Sequence, residues 1–496
     1  MPPTEQLEIE TKYDVGEDTS LPALHELPGV ASVAQPVELD LEAVYFDTAG
    51  LDLAANKVTL RRRTGGEDDG WHVKFPVSGG ERLEVHYPLG RAVRKVPVAI
   101  VRSVRVHVRD HELIPVVTLN TKRIVHRLLD KDGEVLAELA DDHVTATVEG
   151  GEPESWREWE VELVGGDQAL LEAAGKVLRS AGAKPAVGPS KLARALGDRI
   201  PVADSWELPK KPKTSDVFRA YAGAQVQAIR ERDPEVRRDV PDSIHKFRVA
   251  TRRLRSALAT YRPVVDRAAG HLIRAELKWL AGELGVARDA EVQREHFAEE
   301  VAEQPVELVM GRVAGRIDDH LRGVYKAGRA GALAALESER YFRLLEALDE
   351  LIAKPPLTDD DRKAAKQLPE LLDHDWRRMS KAVRRAESAE DSAEQDHQLH
   401  EVRKAAKRLR YAAESAVPVL GDEAAGLAAR AEEVQEVLGE HQDSVVSRDL
   451  LRQLAIEVHL EGGNAFTFGR LHAAEELRGI RSRDAFFELW PTLQSG

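Results

Sequence analysis

The sequence predicts an α+β chain: an antiparallel sheet closed around a charged lumen, then an all-helical domain built by duplication. Three observations carry this. Residues 5–164 hold about seven segments of strict alternation, each with one charged and one apolar face. From Asp216 the strand patterns stop, and Ala, Leu, Arg and Glu at helical spacing run to the end. A stretch in that second region, HKFRVATRRLR at 245–255, returns as HEVRKAAKRLR at 400–410.

QLEIETKYDV (6–15) puts Glu8, Glu10 and Lys12 opposite Leu7, Ile9, Thr11 and Tyr13. VTLRRRTG (58–65) puts Thr59, Arg61 and Arg63 together, and GWHVKFPV (70–77) sets His72 and Lys74 against Trp71, Val73 and Phe75. ERLEVHYPL (81–89) aligns Arg82, Glu84 and His86; TLNTKRIVHRLL (118–129) aligns Thr121, Arg123 and Arg127. VLAELADDHV (135–144) aligns Glu138 with Asp142, and REWEVELV (157–164) aligns Glu158, Glu160 and Glu162 against Trp159, Val161 and Leu163. One such strand usually marks a solvated sheet surface. Seven in succession, acids on some and bases on others, predict a closed sheet whose apolar outside is covered by helices at 20–28, 96–104 and 167–182. His72 is assigned to packing or surface, Glu162 to the rim, and Trp71 and Trp159 to packing under the covering helices.

The order of these motifs resembles the CYTH family, the triphosphate tunnel metalloenzymes, over residues 5–197. The carriers are Glu8-Ile9-Glu10-Thr11-Lys12, TLRRR (59–63), the lysine of WHVKF, RLE (82–84), the ELADD acids, EWEVEL (158–163) and SKLAR (190–194). One departure is His86, where many members carry a further carboxylate. The resemblance implies an eight-stranded antiparallel tunnel barrel acting as a metal-dependent inorganic triphosphatase. A triphosphate needs several cations converging on it; Lys12, Arg61, Arg63, Lys74, Arg82, Arg123 and Lys191 are the candidates. Glu8, Glu10 and Asp142 are assigned to Mg2+ or Mn2+. Glu84, Glu158 and Glu160 are assigned as catalytic residues, either further metal ligands or the group that orients water.

Residues 201–213 form a Pro-rich aperiodic linker between a domain at 1–200 and a helical domain at 214–496, with repeats at about 216–385 and 395–490. Helix breaks are expected near Asp233-Pro234, Pro263, Gln304-Pro305, Lys354 to Leu357 and Val417-Pro418, and a solvated loop at 386–399. On a helix, His245, Arg248, Arg252 and Arg255 share one face, with Phe247, Ala250, Leu254 and Leu258 opposite. The second copy repeats the plan with His400, Arg403, Lys407 and Arg410. Each copy is followed by an echo, LGVARDAEV (284–292) and LGEHQDSVV (438–446), whose Arg288, Asp289 and Asp443 are placed to brace the basic face.

This region resembles the CHAD domain over roughly 214–490, on HKFRVATRRLR, LGVARD, HEVRKAAKRLRY and LGEHQD. The resemblance implies polyphosphate binding by the two basic stripes. Composition agrees with a local polyanion site rather than a nucleic-acid coat: 71 Lys+Arg stand against 86 Asp+Glu, net −15, and aromatic residues make up 5%. Expected partners are therefore inorganic triphosphate and polyphosphate, with no specific nucleic acid and no membrane. With no cysteine and a polar start, the expected place is the cytoplasm, in association with polyphosphate granules. The alternatives are a non-catalytic polyphosphate-binding scaffold and, in the same tunnel, a thiamine triphosphatase or adenylate cyclase.

Overall fold

The computed structural model describes residues 3–77, 81–90, 95–202 and 207–494. The chain forms two compact units, Met1–Asp204 and Ser205–Gly496.

The first unit is an antiparallel curled sheet. Its strands are β1 (Thr4–Glu8), β2 (Glu10–Val15), β3 (Ser32–Val33), β4 (Val37–Asp47), β5 (Thr59–Thr64), β6 (Gly70–Pro76), β7 (Arg82–Pro88), β8 (Ile114–Leu129), β9 (Val135–Val148), β10 (Glu154–Leu163) and β11 (Lys184–Pro185). The order is β1-β7-β6-β5-β4-β8-β9-β10-β2-β11, with β3 on β8. β1 and β2 follow each other with only Ile9 between, so one segment pairs with both ends of the order: Glu8 opposite Arg82, and Lys12 opposite Glu160. Counting Thr4–Val15 once, and setting aside the two-residue β3 and β11, eight strands follow one another around the sheet.

β4 is the strand that alternation does not announce. Its acids Glu38, Asp40 and Glu42 are exposed, while Leu39, Leu41, Ala43 and Tyr45 turn to the cavity side, the inverse of its neighbours. After β5 the chain turns sharply at Gly65, with φ of +97°. A side chain there would run into the Asp40 carbonyl, so glycine is required.

Helices cover the outer apolar faces. α1 (Asp52–Ala55), α2 (Val98–Ser103) and α3 (Arg105–Val108) lie over β5–β7, where Ile100, Val104 and Val108 pack with Trp71, Val73 and Val85. α4 (Gln168–Ser180) is capped by Asp167 and buries Leu170, Leu171, Ala174 and Leu178 against Trp159 and Val161. α5 (Lys191–Leu196) behaves differently: Leu192 and Leu196 pack with Ala43, Tyr45, Leu119 and Trp156. Ala43, Tyr45 and Leu119 also line the cavity, as do Ser190 and Lys191 at the start of α5.

The second unit is all helical: α6 (Thr214–Arg238), α7 (Ser243–Thr260), α8 (Arg267–Glu283), α9 (Gly285–Ala302), α10 (Val313–Leu336), α11 (Glu339–Ala353), α12 (Ala364–Glu387), α13 (Ser392–Leu420), α14 (Asp422–Leu460) and α15 (Phe466–Gln494). α6 packs on α7 and α9 on α10; in the second half α12 packs on α13 and α14 on α15. The two motif helices, α7 and α13, meet each other. This pairing groups 364–387 with the second half rather than the first. α14 runs unbroken where the first half divides into α8 and α9 at Leu284.

Three expected interruptions are absent. Pro234 and Pro418 lie inside α6 and α13, and residues 392–399 are helical. Both prolines sit close to a helix C-terminus, where one missing N–H removes little of the ladder. The break at 388–391 is short because Asp391 caps α13, accepting from the Glu394 amide. Among the described residues no helix is long and apolar enough to cross a membrane.

Candidate active site and anion-binding face

Charged side chains from the inward-facing parities of β1, β2 and β5–β10 converge on a cavity of about 350 Å³. They form two clusters. In the larger, Glu160 is the hub: it pairs with Lys12, with Lys191 at 2.6 Å and with Arg123 at 2.7 Å. Lys12 also reaches Glu10 at 2.9 Å. Lys191 lies 2.9 Å from Asp142 and 2.7 Å from Glu158, and Arg123 holds Asp142 with two bonds of 2.8 and 2.7 Å. In the smaller cluster Lys74 bridges Glu8 at 2.5 Å and Glu84 at 3.0 Å, with Arg61 3.6 Å from Glu84.

Burial and charge pull against each other here. Burial alone would raise Glu160 and Asp142; Lys12, Lys191 and Arg123 hold Glu160 well below the carboxylate range, and Arg123 and Lys191 hold Asp142 down. Glu8 is the exception: burial outweighs Lys74 and pushes it up to about 7. Arg63, beside Asp68, is lowered to about 9 by burial and by the Arg61 and Arg123 charges. A bound anion would relieve it.

Arg82 lines the cavity and donates to the Pro189 carbonyl at 3.2 Å. Glu162 lines it too, its carboxyl raised by burial. Trp71 and Trp159 are fully buried in the outer cores.

The expected metal set Glu8, Glu10 and Asp142 does not gather as one group. Glu8 belongs with Lys74 and Glu84, and Glu10 with Lys12. The buried carboxylates that do gather are Asp142, Glu158 and Glu160, whose oxygens lie within 4.8 Å of one another. The set is all hard oxygen, and Glu158 Oε1, although close to Lys191, is outside hydrogen-bonding alignment. Such a donor set fits Mg2+ or Mn2+.

The sequence assigns His72 to packing or surface; the structure buries it and gives it a carboxylate partner. It is 1% exposed, with Nδ1 2.5 Å from Glu84 Oε1 and Nε2 3.1 Å from the Asp68 carbonyl. The ring thus fixes Glu84 from behind and ties it to the turn that carries the partner of Arg63. The parity of GWHVKF already puts His72 beside Lys74; what the sequence lacks is the identity of its cross-strand neighbours. If the cavity cleaves phosphoanhydride bonds, as its sequence motifs imply, His72→Leu is expected to lower kcat about 10–100-fold with little change in KM. His72→Asn, which keeps a donor near the Nδ1 position, should recover part of it. Equal kcat losses in both variants would contradict a positioning role.

In the second unit the two basic stripes converge through the α7–α13 contact. The Lys407 ammonium is lowered to about 7 by burial and by Arg403, Arg252 and, more weakly, Arg248. The duplication has a shared geometry: a Cβ added to Gly285 would lie 3.5 Å from the Arg248 guanidinium, and one on Gly439 3.4 Å from that of Arg403. Glycine in each echo therefore leaves the space an arginine occupies. Asp289 pairs with Arg248 at 2.7 Å, and Asp443 is a charge neighbour of Arg403. Arg288 pairs with Glu291 at 2.7 Å. His245 and His400 are half-buried, and burial together with nearby cations, Arg288 at His245 and Lys404 at His400, lowers both rings.

Arg410 leaves the stripe. It is held by Glu414 at 2.8 Å and Glu432 at 2.7 Å, so its charge is spent internally. Arg255, its counterpart in the first copy, has Arg252 as its charge neighbour instead.

The depressed Lys407 sets a pH dependence. Its folded-state pKa lies below the unfolded value, so the unfolded chain binds the extra proton and stability rises between about pH 7 and pH 10. Lys407→Met should stabilise the ligand-free protein by roughly 1–3 kcal/mol at pH 7 and flatten that rise. Denaturant melts at pH 6.5 and 9 check this; an unchanged pH slope would contradict the assignment.

The CYTH domain family matches residues 6–195 and the CHAD domain family residues 220–452. An uncharacterized protein found in two strains of Mycobacterium tuberculosis is 39% identical over 501 residues, spanning 97% of this chain and 95% of the relative. Among solved structures, PptA from Streptomyces chartreusis aligns with 56% of this chain and 99% of its own, at 22% identity and TM-score 0.47. The CHAD domain from the plant Ricinus communis aligns with 58% of this chain and 96% of its own, at 26% identity and TM-score 0.46.

Proposed function

Since the chain belongs to the CYTH family in its first unit and the CHAD family in its second, we propose that it hydrolyses inorganic triphosphate and binds polyphosphate. One observation supports the enzymatic half above all. Lys12, Arg61, Lys74, Arg123 and Lys191, from separate elements, line one cavity with Glu160, and Asp142 and Glu158 are buried next to Glu160, on Lys191 and Arg123. In the ligand-free protein these cations and carboxylates neutralise one another. A triphosphate entering the cavity replaces the carboxylates as partner of the cations, and frees carboxylate oxygens for a divalent metal, Mg2+ or Mn2+. When bound, that metal supplies charge neutralisation at the phosphates.

The protein's own part is then positional. Arg61, Lys74, Arg123 and the tunnel lysines hold the chain of phosphates in line. A carboxylate, with Glu84 fixed by His72 as the candidate, accepts a hydrogen bond from water facing the terminal phosphorus. Attack forms the new P–O bond as the bridging P–O bond breaks. Diphosphate leaves with the bonding electrons, its growing charge met by the cations already in place.

A second reading is an organic triphosphate. Leu39, Leu41 and Ala43 of β4 give the cavity one apolar wall that an inorganic substrate would not use. Phosphate release from tripolyphosphate, ATP and thiamine triphosphate, with Mg2+, Mn2+ or EDTA, separates the readings. The expected result is metal-dependent release with tripolyphosphate preferred. Preference for ATP or thiamine triphosphate would favour the second reading, and no release from any would refute the enzymatic assignment.

A further inference from the structure

The duplication in the second unit is symmetric at its centre and asymmetric at its edges. Arg248, Arg252, Arg403 and Lys407 meet where α7 and α13 cross. Beyond that centre the two sides differ in charge. On the side of α13, Glu414 accepts from Arg410 and lies 3.0 Å from Arg253, while Glu432 takes the other face of Arg410. By the register of the repeated motif, Glu414 corresponds to Ala259 in the first copy. Counting from the paired glycines Gly285 and Gly439, Glu432 corresponds to Lys278. Both acids that close one edge are thus missing from the other.

The other edge is cationic. Arg255 follows Arg252 on α7 and neighbours Arg274 on α8; Arg274 is also flanked by Arg262, Arg378 and Arg408. Within this group Asp375 is bound by Arg408 at 2.7 Å and by Thr260 at 2.6 Å, and Arg408 also donates to the Ala259 carbonyl. Among the described residues, Arg255, Arg262, Arg274 and Arg378 form no ion pair with a carboxylate. Arg262 and Arg378 are exposed, Arg255 and Arg274 half-buried. Burial together with the surrounding arginines lowers Arg274 to about 10. Like charges gathered around a single acid, Asp375, which Arg408 already holds, raise the energy of the empty protein, and a linear polyanion removes that penalty.

We propose that linear polyphosphate leaves the central cluster on one side only, along a track formed by Arg255, Arg274, Arg262 and Arg378, while Glu414 and Glu432 close the opposite side. This rests on the polyphosphate-binding reading of the same unit and adds the direction and the residues. A short anion is held at the centre alone; a long chain gains the track.

The test compares the full chain with R262Q/R274Q/R378Q and, separately, with E414Q/E432Q. Binding of long-chain polyphosphate is measured in EDTA over a salt series, with tripolyphosphate as the short probe and thermal melts to confirm folding. The tunnel contributes equally to every arm. The triple variant should bind long chains at least about tenfold more weakly at low salt, with a salt slope shallower by about 2, at roughly 0.7 for each phosphate left without its arginine. Its tripolyphosphate affinity should stay within about twofold of wild type. E414Q/E432Q should bind long chains more tightly with a steeper slope, because Arg410 and Arg253 are released. A wild-type protein that does not bind long polyphosphate would overturn the underlying reading as well. Binding by the wild type with an unchanged triple variant would overturn the track alone, and an unchanged or weakened E414Q/E432Q would overturn its one-sidedness.

Discussion

Replacing Glu160 by glutamine is expected to abolish triphosphate hydrolysis, by about 10³-fold or more in kcat, while tightening the grip on metal-free triphosphate. Both effects come from one geometry. Glu160 is the anion shared by Lys12, Arg123 and Lys191, and it is one of the three carboxylates that gather as a hard-oxygen donor set. The amide has nearly the same shape but carries no charge, so the donor set loses a ligand, and a thousandfold loss corresponds to about 4 kcal/mol. Removing one partner from a buried ion network also costs about 3–5 kcal/mol in the empty protein. A triphosphate restores that missing negative charge. The variant should therefore melt earlier than wild type without ligand and gain more from tripolyphosphate in EDTA. Turnover within tenfold of wild type, or a folded variant that binds tripolyphosphate more weakly, would remove Glu160 from the centre of the site.

The second large effect is expected in the helical unit. Changing Arg252 and Lys407 together to glutamate should reduce polyphosphate affinity by about 100-fold or more and flatten its salt dependence. Arg252 and Lys407 occupy matching positions in the two copies, and Lys407 feels the charges of Arg403, Arg252 and Arg248. Two acids placed there pair with Arg248 and Arg403, which fills the site with internal partners. The same pairing relieves repulsion, so the variant should be at least as stable as wild type. Phosphate release by the tunnel should be unaffected. Wild-type affinity in a folded R252E/K407E protein would mean that the stripes are solvated surface.

The sheet is legible in the sequence because its charges alternate: Glu8, Glu10 and Lys12, or Glu158, Glu160 and Glu162, repeat every second residue, which a strand face produces and a helix face does not. β4 is not legible, because its pattern is inverted. Its outward acids look like a surface loop until the inward Leu39, Leu41 and Tyr45 are seen against β5 and β8. The candidate site is legible as a set of residues and illegible as a set of groups. Register decides that Glu84 faces Lys74 and Glu158 faces Asp142, and alternation carries no register. Arg410 misleads for a related reason: a helix wheel gives its face, but Glu432 arrives from another helix. His72 falls on the right face, but its carboxylate partner is not legible, since a lone histidine beside apolar neighbours looks like packing until its cross-strand neighbour is known.

The two-sided pairing of Thr4–Val15 has a consequence for how this unit comes to exist. The segment must find β7 some eighty residues away and β10 nearly one hundred and fifty away, so it is the clasp of the ring and its most non-local part. Loops of that length close late, after local hairpins such as β6–β7 and β8–β9 have formed. The clasp also brings Glu8, Glu10 and Lys12 to the cavity. An open sheet lacking it would keep Arg61, Lys74, Arg123 and their partner acids, yet have a slot through which water reaches every one of them. Enclosure of the cavity and its last charges thus arrive in a single event.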